Sequence, residues 1–172
     1  MADSPIYTAA VITISDSCAR GEREDKSGPA VARFLENLKF AVPAQEVVAD
    51  ELVEIQNALI RRARQVQLIA TTGGTGLAPR DVTPEATTAV CDRLVNGIAE
   101  RMRWEGARKT PFAALSRAVC GVRGRCLILN LPGSPRGAVE SLAAVADLLP
   151  HALDLLGGKT EHASAHSTER EP

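Results

Sequence analysis

The sequence predicts a single α/β domain, a three-layer sandwich with a mostly parallel central sheet flanked by helices. Short apolar segments rich in β-branched residues alternate along the chain with segments of helical periodicity. The 172 residues suffice for one ordinary domain, and no internal repeat or linker divides them. Hydrophobic residues make up 45% of the chain but aromatic residues only 3%, so we expect a core of aliphatic side chains.

The first half of the chain contains three strand candidates. Residues 6–15 form an apolar run that ends in polar residues, as a buried parallel strand does, and residues 46–48 and 67–71 are shorter candidates. Ser27-Gly28-Pro29 opens a helix between the first two strands. Residues 51–64 are predicted to form the next helix, because apolar residues recur on one face and arginines lie near its C-terminus.

The second half begins with helices and continues with a pair of strands. Thr83 is predicted to cap a helix that runs to about residue 94, with Pro84 in its first turn. A further helix is expected over residues 98–108. Residues 118–122 and 126–131 are predicted to be two strands joined by a tight turn.

A helical region over residues 137–156, with a break near Pro150, completes the predicted domain. The residues from 157 to 172 are mostly small and polar, which predicts a flexible C-terminal tail. The domain is therefore expected to cover residues 1–156.

Charge and composition argue against several classes of function. There are 20 Lys and Arg against 21 Asp and Glu, which speaks against a nucleic-acid or membrane surface. No apolar run reaches the roughly 18 residues of a membrane span, and the N-terminus lacks a signal-peptide pattern. The four cysteines show no C-x-x-C spacing, so reduced thiols in a cytoplasmic protein are expected.

A glycine-rich loop follows the third strand and precedes a helix. Glycines there allow backbone N–H groups to point at an anion. The loop is not a P-loop, because no lysine occurs from residue 40 to residue 108, and the third glycine of a dinucleotide fingerprint is missing. A plain connecting turn remains the alternative. Arg80 suits a phosphate oxygen, whereas Asp81 needs a cation such as Mg²⁺ to tolerate one.

These residues resemble a known family. Residues 71–76 (TTGGTG) together with residues 80–85 (RDVTPE) are similar to the signature of the molybdenum cofactor biosynthesis domain, found in molybdopterin adenylyltransferases and in the G domain of gephyrin-type proteins. The resemblance covers about residues 6–156. Its other segments are ISDS at 14–17, DKSG at 25–28, Asp50-Glu51, and LPGSP at 131–135.

The resemblance implies a reaction, a site and partners. Such enzymes transfer AMP from Mg-ATP to the terminal phosphate of molybdopterin, release pyrophosphate, and pass the product to a separate molybdenum insertase. They are typically homotrimers. The resemblance implies that Asp50 and Asp81 are catalytic and hold Mg²⁺. The residues that it implies for substrate binding are Ser15, Asp16, Thr72, Gly73, Gly74, Thr75, Gly76, Arg80, Pro132, Gly133 and Ser134.

Structural roles remain open for several of these residues. Asp50 precedes a helix and could be its N-cap, and Asp81 could be a turn or cap residue. Ser15 and Asp16 could serve only in a turn, and Ser134 could cap the last helix. Two other functions also remain open: a non-catalytic molybdopterin-binding protein, and a nucleotide hydrolase of the competence-damage type, which usually carries an additional domain.

Overall fold

The computed structural model describes residues 7–159 and shows one six-stranded sheet. The predictions for residues 1–6 and 160–172 lie outside the described residues. The sheet has the order β2-β1-β3-β6-β5-β4, with β2, β1, β3 and β6 parallel and the β6-β5-β4 edge antiparallel. The strands are β1 (Tyr7–Ile14), β2 (Phe40–Val48), β3 (Leu68–Thr72), β4 (Arg93–Leu94), β5 (Cys120–Arg123) and β6 (Cys126–Leu131).

Helices cover both faces of the sheet. They are α1 (Asp16–Ala19), α2 (Ser27–Asn37), α3 (Leu52–Ala63), α4 (Thr83–Val90), α5 (Asn96–Ala107), α6 (Pro135–Ala143) and α7 (Leu149–Leu156), with 3₁₀ turns at Pro111–Leu115 and Ala146–Leu148. Side chains of α2, α5, α6 and α7 form one core and those of α3 and α4 the other. Along β1, Ala9 and Val11 face the first core while Ala10 and Ile12 face the second, as the two-residue period of a strand requires. The predicted fold class is confirmed.

The second strand is longer than predicted, because it is an edge strand. Its exposure alternates over most of its length, so its first half lacks the continuous apolar run of β1. Pro43 lies within it, which an edge strand tolerates. The register shifts here, since Thr8 pairs with Ala41 but Ala10 with Ala44.

Two helix predictions were wrong in their boundaries. The helix that begins at Thr83 ends at Val90 and not near residue 94, because β4 follows at once and pairs with β5. The helical region predicted over residues 137–156 begins earlier, at Pro135, whereas its expected break near Pro150 is confirmed: α6 ends at Ala143 and a 3₁₀ turn precedes α7. Pro150 lies in the first turn of α7, where its missing N–H costs no intrahelical bond.

The last described residues close α7. The backbone N–H groups of Gly157, Gly158 and Lys159 donate to the carbonyls of Leu153, Leu155 and Asp154, so these three residues form a helix terminus. The remainder of the predicted tail lies outside the described residues.

The cysteines are free in the structure. Burial raises the pKa of the Cys120 and Cys126 thiols to about 12 and that of Cys91 to about 11, which keeps all three protonated near neutral pH. Within residues 7–159, no helix has the length and apolar character that crossing a membrane requires.

Asn130 joins four parts of the fold through its buried amide. Its Nδ2 donates to the hydroxyls of Thr71 (3.0 Å) and Thr87 (2.9 Å), and its Oδ1 accepts from the backbone N–H of Val119 (3.2 Å).

We expect Asn130→Ala to lower the free energy of unfolding by about 2–3 kcal/mol, because buried partners lose their hydrogen bonds. Urea denaturation measures this. The exposed Asn57→Ala serves as control and should change it by less than about 0.5 kcal/mol; equal effects would contradict the role of the network.

Candidate functional site

The predicted site segments meet at one edge of the sheet. The strands β1, β2, β3 and β6 are parallel, so the segments that follow them lie side by side at their carboxyl ends. A cavity of about 850 Å³ opens there. Eight of the predicted site residues line it: Ser15, Asp50, Thr72, Gly73, Gly74, Asp81, Gly133 and Ser134. Thr75, Gly76 and Pro132 line an adjoining, mostly apolar cavity of about 430 Å³ that also touches Ser134, whereas Asp16 and Arg80 line neither.

The glycine loop makes a tight turn directly after β3. Gly73 and Gly74 have φ angles of 98° and 63°, a conformation that side chains disfavour. The backbone N–H of Gly73 donates to Leu131 at the end of β6 (3.1 Å), which joins the loop to the neighbouring strand. A Cβ on Gly133 would come within 3.3 Å of the Gly73 Cα, so the loops after β3 and β6 are in close contact.

Thr83 fixes the glycine turn from the start of α4. Its hydroxyl donates to the Gly73 carbonyl (3.0 Å) and its backbone N–H to the Gly74 carbonyl (3.1 Å). The prediction that Thr83 is the N-cap was wrong, because Val82 occupies that position and Thr83 is the first helical residue. The hydroxyl is buried and serves the turn instead of the helix.

Asp50 and Asp16 hold each other in place. The backbone N–H of Asp16 donates to Asp50 Oδ2 (2.8 Å), and that of Asp50 donates to Asp16 Oδ1 (3.0 Å). Asp50 is therefore not the cap of α3, where Glu51 occupies the N-cap position without a side-chain bond. Burial raises the pKa of Asp50, and the negative charges of Asp16 and Asp81 raise it further. The bond from the Asp16 N–H and the charge of Arg80 oppose this rise.

Arg80 lies outside the cavity lining and is paired with two carboxylates. Its guanidinium makes two bonds to the Asp16 carboxylate (2.6 and 3.1 Å) and one to Glu51 (2.8 Å). The bond to Arg80 holds the pKa of Asp16 below its usual range against a smaller opposing effect of burial. The guanidinium that was predicted to face a phosphate is thus engaged by two carboxylates in this structure.

Asp81 closes a short turn beside Gly76. Its Oδ2 accepts from the backbone N–H of Ala78 (2.9 Å). Among the described residues, the hydrogen bonds of Asp50 and Asp81 engage only Oδ2 of each carboxylate, so each Oδ1 remains for another partner. A Cβ on Gly74 would lie 3.3 Å from Asp50 Oδ1, which places that oxygen against the turn.

Ser134 begins α6 beside the cavity. Its hydroxyl accepts from the backbone N–H of Gly137 (3.1 Å) and Pro135 follows as the first helical residue, so the predicted cap is confirmed. The N-terminus of this helix borders the cavity, and such an end favours anions. Ser134 can therefore cap the helix while the same helix N-terminus faces an anion in the cavity.

The predicted site residues do not include the rim formed by Glu22, Arg23, Glu24 and Lys26, although residues 25–28 belong to a segment of the resemblance. Arg23 and Lys26 are the cationic members of the cavity lining, and Thr13 and Ser27 line it as well. The Ser27 hydroxyl lies 2.6 Å from that of Thr72, which joins this rim to β3. The available signal was the pair of cations before α2 together with the DKSG segment at 25–28, from which no site residue was predicted.

Three or more His, Cys, Asp or Glu side chains do not converge in a metal-binding geometry anywhere within residues 7–159. Mg²⁺, however, is often held by one or two carboxylates together with substrate phosphates. Asp50 and Asp81 both line the cavity and carry oxygens of the required hard type. The pair therefore fits a cation that arrives with a phosphate substrate.

Comparisons with known proteins place the chain among proteins of one pathway. A family model described as "Probable molybdopterin binding domain" matches residues 10–151. A protein named molybdopterin adenylyltransferase from Helicobacter pylori (strain J99) is 41% identical over 155 residues, which are 86% of each chain. The crystal structure of the molybdopterin biosynthesis enzyme MoaB from Thermus thermophilus is 54% identical, with a TM-score of 0.85 over 90% of this chain and 98% of that one. A molybdenum cofactor biosynthesis bifunctional protein from Synechococcus elongatus is 40% identical over 151 residues, which are 47% of its length.

Proposed function

The chain belongs to the family of probable molybdopterin-binding domains, and from this premise we propose that it is a molybdopterin adenylyltransferase of molybdenum cofactor biosynthesis. The enzyme transfers AMP from Mg-ATP to the terminal phosphate of molybdopterin and releases pyrophosphate. Relatives at about 40% identity bear the name of this activity. The resemblance seen in the sequence is confirmed at the level of the family.

One observation carries the proposal. Asp50 and Asp81 border the same cavity of about 850 Å³, on either side of a glycine turn at the carboxyl edge of the sheet. The Gly73 N–H is bonded to Leu131, but the positive-φ turn lets a phosphate approach the backbone at Gly74 closely. The carboxylates supply ligands for the cation that accompanies a nucleotide. A structural connector needs neither carboxylate on the cavity wall.

The aspartates act by alignment and not by proton transfer. Each is anchored by a backbone N–H at Oδ2, so Oδ1 is held in a defined direction. Bound Mg²⁺ would supply charge neutralisation at the phosphates. Burial disfavours the ionised form of Asp50, and a cation next to the carboxylate offsets that cost.

Two cationic side chains and a helix N-terminus on the cavity lining neutralise and orient the phosphates, although Glu22 and Glu24 also line it. Arg23 and Lys26 face the cavity from the rim, and the start of α6 at Ser134 borders it on another side. An oxygen of the pterin phosphate attacks the α-phosphorus of ATP, and the bond from that phosphorus to the pyrophosphate oxygen breaks. The attacking oxygen is ionised at neutral pH, so positioning and charge suffice without a general base.

The test is incubation of the purified protein with molybdopterin and Mg-ATP. We expect pyrophosphate and adenylylated pterin in equal amounts, measured by a coupled pyrophosphate assay and mass spectrometry. Binding of both ligands without pyrophosphate would identify a non-catalytic pterin-binding protein. Nucleotide cleavage in the absence of pterin would identify a hydrolase, and absence of ATP binding with Mg²⁺ present would overturn the proposal altogether.

The proposal also includes a homotrimeric assembly and the transfer of the product to a second enzyme. The family resemblance favours a homotrimer, and the large apolar side chains Leu77, Trp104 and Phe112 are 65%, 71% and 75% exposed in the single chain. Light scattering should then give three times the chain mass of 18.2 kDa. The adenylylated pterin is the substrate for a separate molybdenum insertase, so the product should be released when that enzyme is added.

A further inference from the structure

Arg117 holds the loop that carries Asp81 although it lines neither cavity. It lies between the 3₁₀ turn at Pro111–Leu115 and β5. Its backbone N–H donates to the Thr75 carbonyl (2.9 Å). Its side-chain Nε donates to the Gly76 carbonyl (2.7 Å) and its Nη2 to the Asp81 carbonyl.

These bonds fasten both ends of one exposed segment. Residues 77–80 are all exposed, and they connect Gly76 to Asp81. A guanidinium presents its donors in a rigid planar fork, so the two carbonyls that it binds are held at a fixed separation. Exposed segments with few packing contacts open easily, and the position of Asp81 therefore depends on this fork.

Glu85 orients the guanidinium from the first turn of α4. Its carboxylate accepts from Arg117 Nη1. Partial burial raises the pKa of Glu85, but the bond from Arg117, the backbone bond at Glu85 and the charge of Arg117 together lower it. An ion pair exposed to this degree contributes little to stability, so the bonds to the two carbonyls are the consequential ones.

We infer that Arg117 is a positioning residue for the proposed adenylyl transfer: it holds the loop from Gly76 to Asp81 closed and so aims the Asp81 carboxylate into the cavity. The inference rests on the proposed function for its catalytic consequence only. The clamping of the loop is a property of the folded chain and is measured without any substrate.

The first measurement is amide hydrogen exchange of the folded variants. In Arg117→Ala, exchange in residues 77–81 should become roughly tenfold faster, since the side-chain bonds to the Gly76 and Asp81 carbonyls are lost. The backbone bond to Thr75 and the bonds of Arg80 to Asp16 and Glu51 remain, so the rest of the loop stays attached. Arg123→Ala is the matched control, because Arg123 also donates to a backbone carbonyl, that of Val90 (2.6 Å), away from the cavity. Equal protection of residues 77–81 in Arg117→Ala and the unchanged protein would overturn the clamp, even if no adenylyl transfer were found.

The second measurement is steady-state kinetics. Arg117→Ala should lower kcat roughly tenfold or more and change the KM for ATP far less, because misplacing Asp81 affects alignment more than binding. Millimolar guanidinium should restore part of the lost kcat, and Arg123→Ala should retain full activity. Arg117→Lys keeps the positive charge but loses the planar fork of donors, so its kcat should lie between those of Arg117→Ala and the unchanged protein. This variant replaces Arg117→Ala in the test if the alanine variant does not fold. A loosened loop with unchanged kcat would overturn the positioning role.

Discussion

Replacing Asp50 or Asp81 by asparagine is expected to lower turnover by roughly 10² or more while the protein stays folded. Asparagine keeps the side-chain oxygen that accepts from Asp16 N–H or Ala78 N–H, so the local anchors survive. What disappears is the negative charge at the second carboxylate oxygen, and with it the ligand for Mg²⁺. Pyrophosphate release at saturating substrates measures the effect, and the Mg²⁺ concentration at half-maximal rate should rise in both variants.

The free energy of unfolding distinguishes a loss of Mg²⁺ binding from a loss of folded protein. Because burial raises the pKa of Asp50, the folded protein disfavours its ionised form, and a neutral amide should leave the free energy of unfolding within about 0.5 kcal/mol. Binding of the pterin should largely persist, since binding and alignment use different groups.

Asp92→Asn is the matched control. Asp92 Oδ2 also accepts from a backbone N–H, that of Gly124 (2.6 Å), but Asp92 lies outside the cavity. This variant should retain full activity. Full adenylylation by Asp50→Asn would show instead that Asp50 is only a structural anchor, and the role implied by the resemblance would then be wrong at that position.

The assembly of the site was predictable because strand direction determines it. Parallel strands end at one edge, so segments far apart in the chain, such as those at Ser15, Gly73 and Ser134, meet there, and the resemblance had already grouped them as one site. The apolar runs of β1 and β6 were also clear, since both faces of these strands are buried. The prediction for the edge strand β2 was too short, because its residues alternate in exposure and lack the continuous burial of a central strand.

Partners of individual side chains were not predictable, because they depend on contacts between elements. Asp50 precedes α3, which favours an N-cap, but its actual partner Asp16 follows the neighbouring strand β1. Arg80 follows the glycines, which favours a phosphate ligand, but its guanidinium binds Asp16, which follows the strand β1. Sequence position indicates which residues are near one another along the chain and leaves open which charges meet across the sheet.

Gly74→Ala is the second change with a large expected effect. Gly74 has a φ of 63°, and a Cβ there would lie 2.3 Å from the Thr83 hydroxyl. That hydroxyl cannot move without losing its bond to the Gly73 carbonyl, so the turn itself must shift. A displacement of about 1 Å in a positioning element costs about 10² in rate, so kcat/KM for ATP should fall by roughly that factor.

Gly124→Ala isolates the effect of the turn from backbone strain alone. Gly124 has a similar φ of 57°, but a Cβ there meets nothing within 4 Å. Gly124→Ala should lose about 1–2 kcal/mol of stability, because alanine disfavours positive φ. Gly74→Ala should lose more, because its Cβ also collides with the Thr83 hydroxyl. Urea denaturation measures both losses, and the adenylylation assay is run under conditions in which both variants are folded. If the two variants kept the same kcat/KM, the glycine turn would be only a connector between β3 and α4. A loss of kcat/KM confined to Gly74→Ala, with both variants folded in the assay, would show that the shape of the turn serves the substrate.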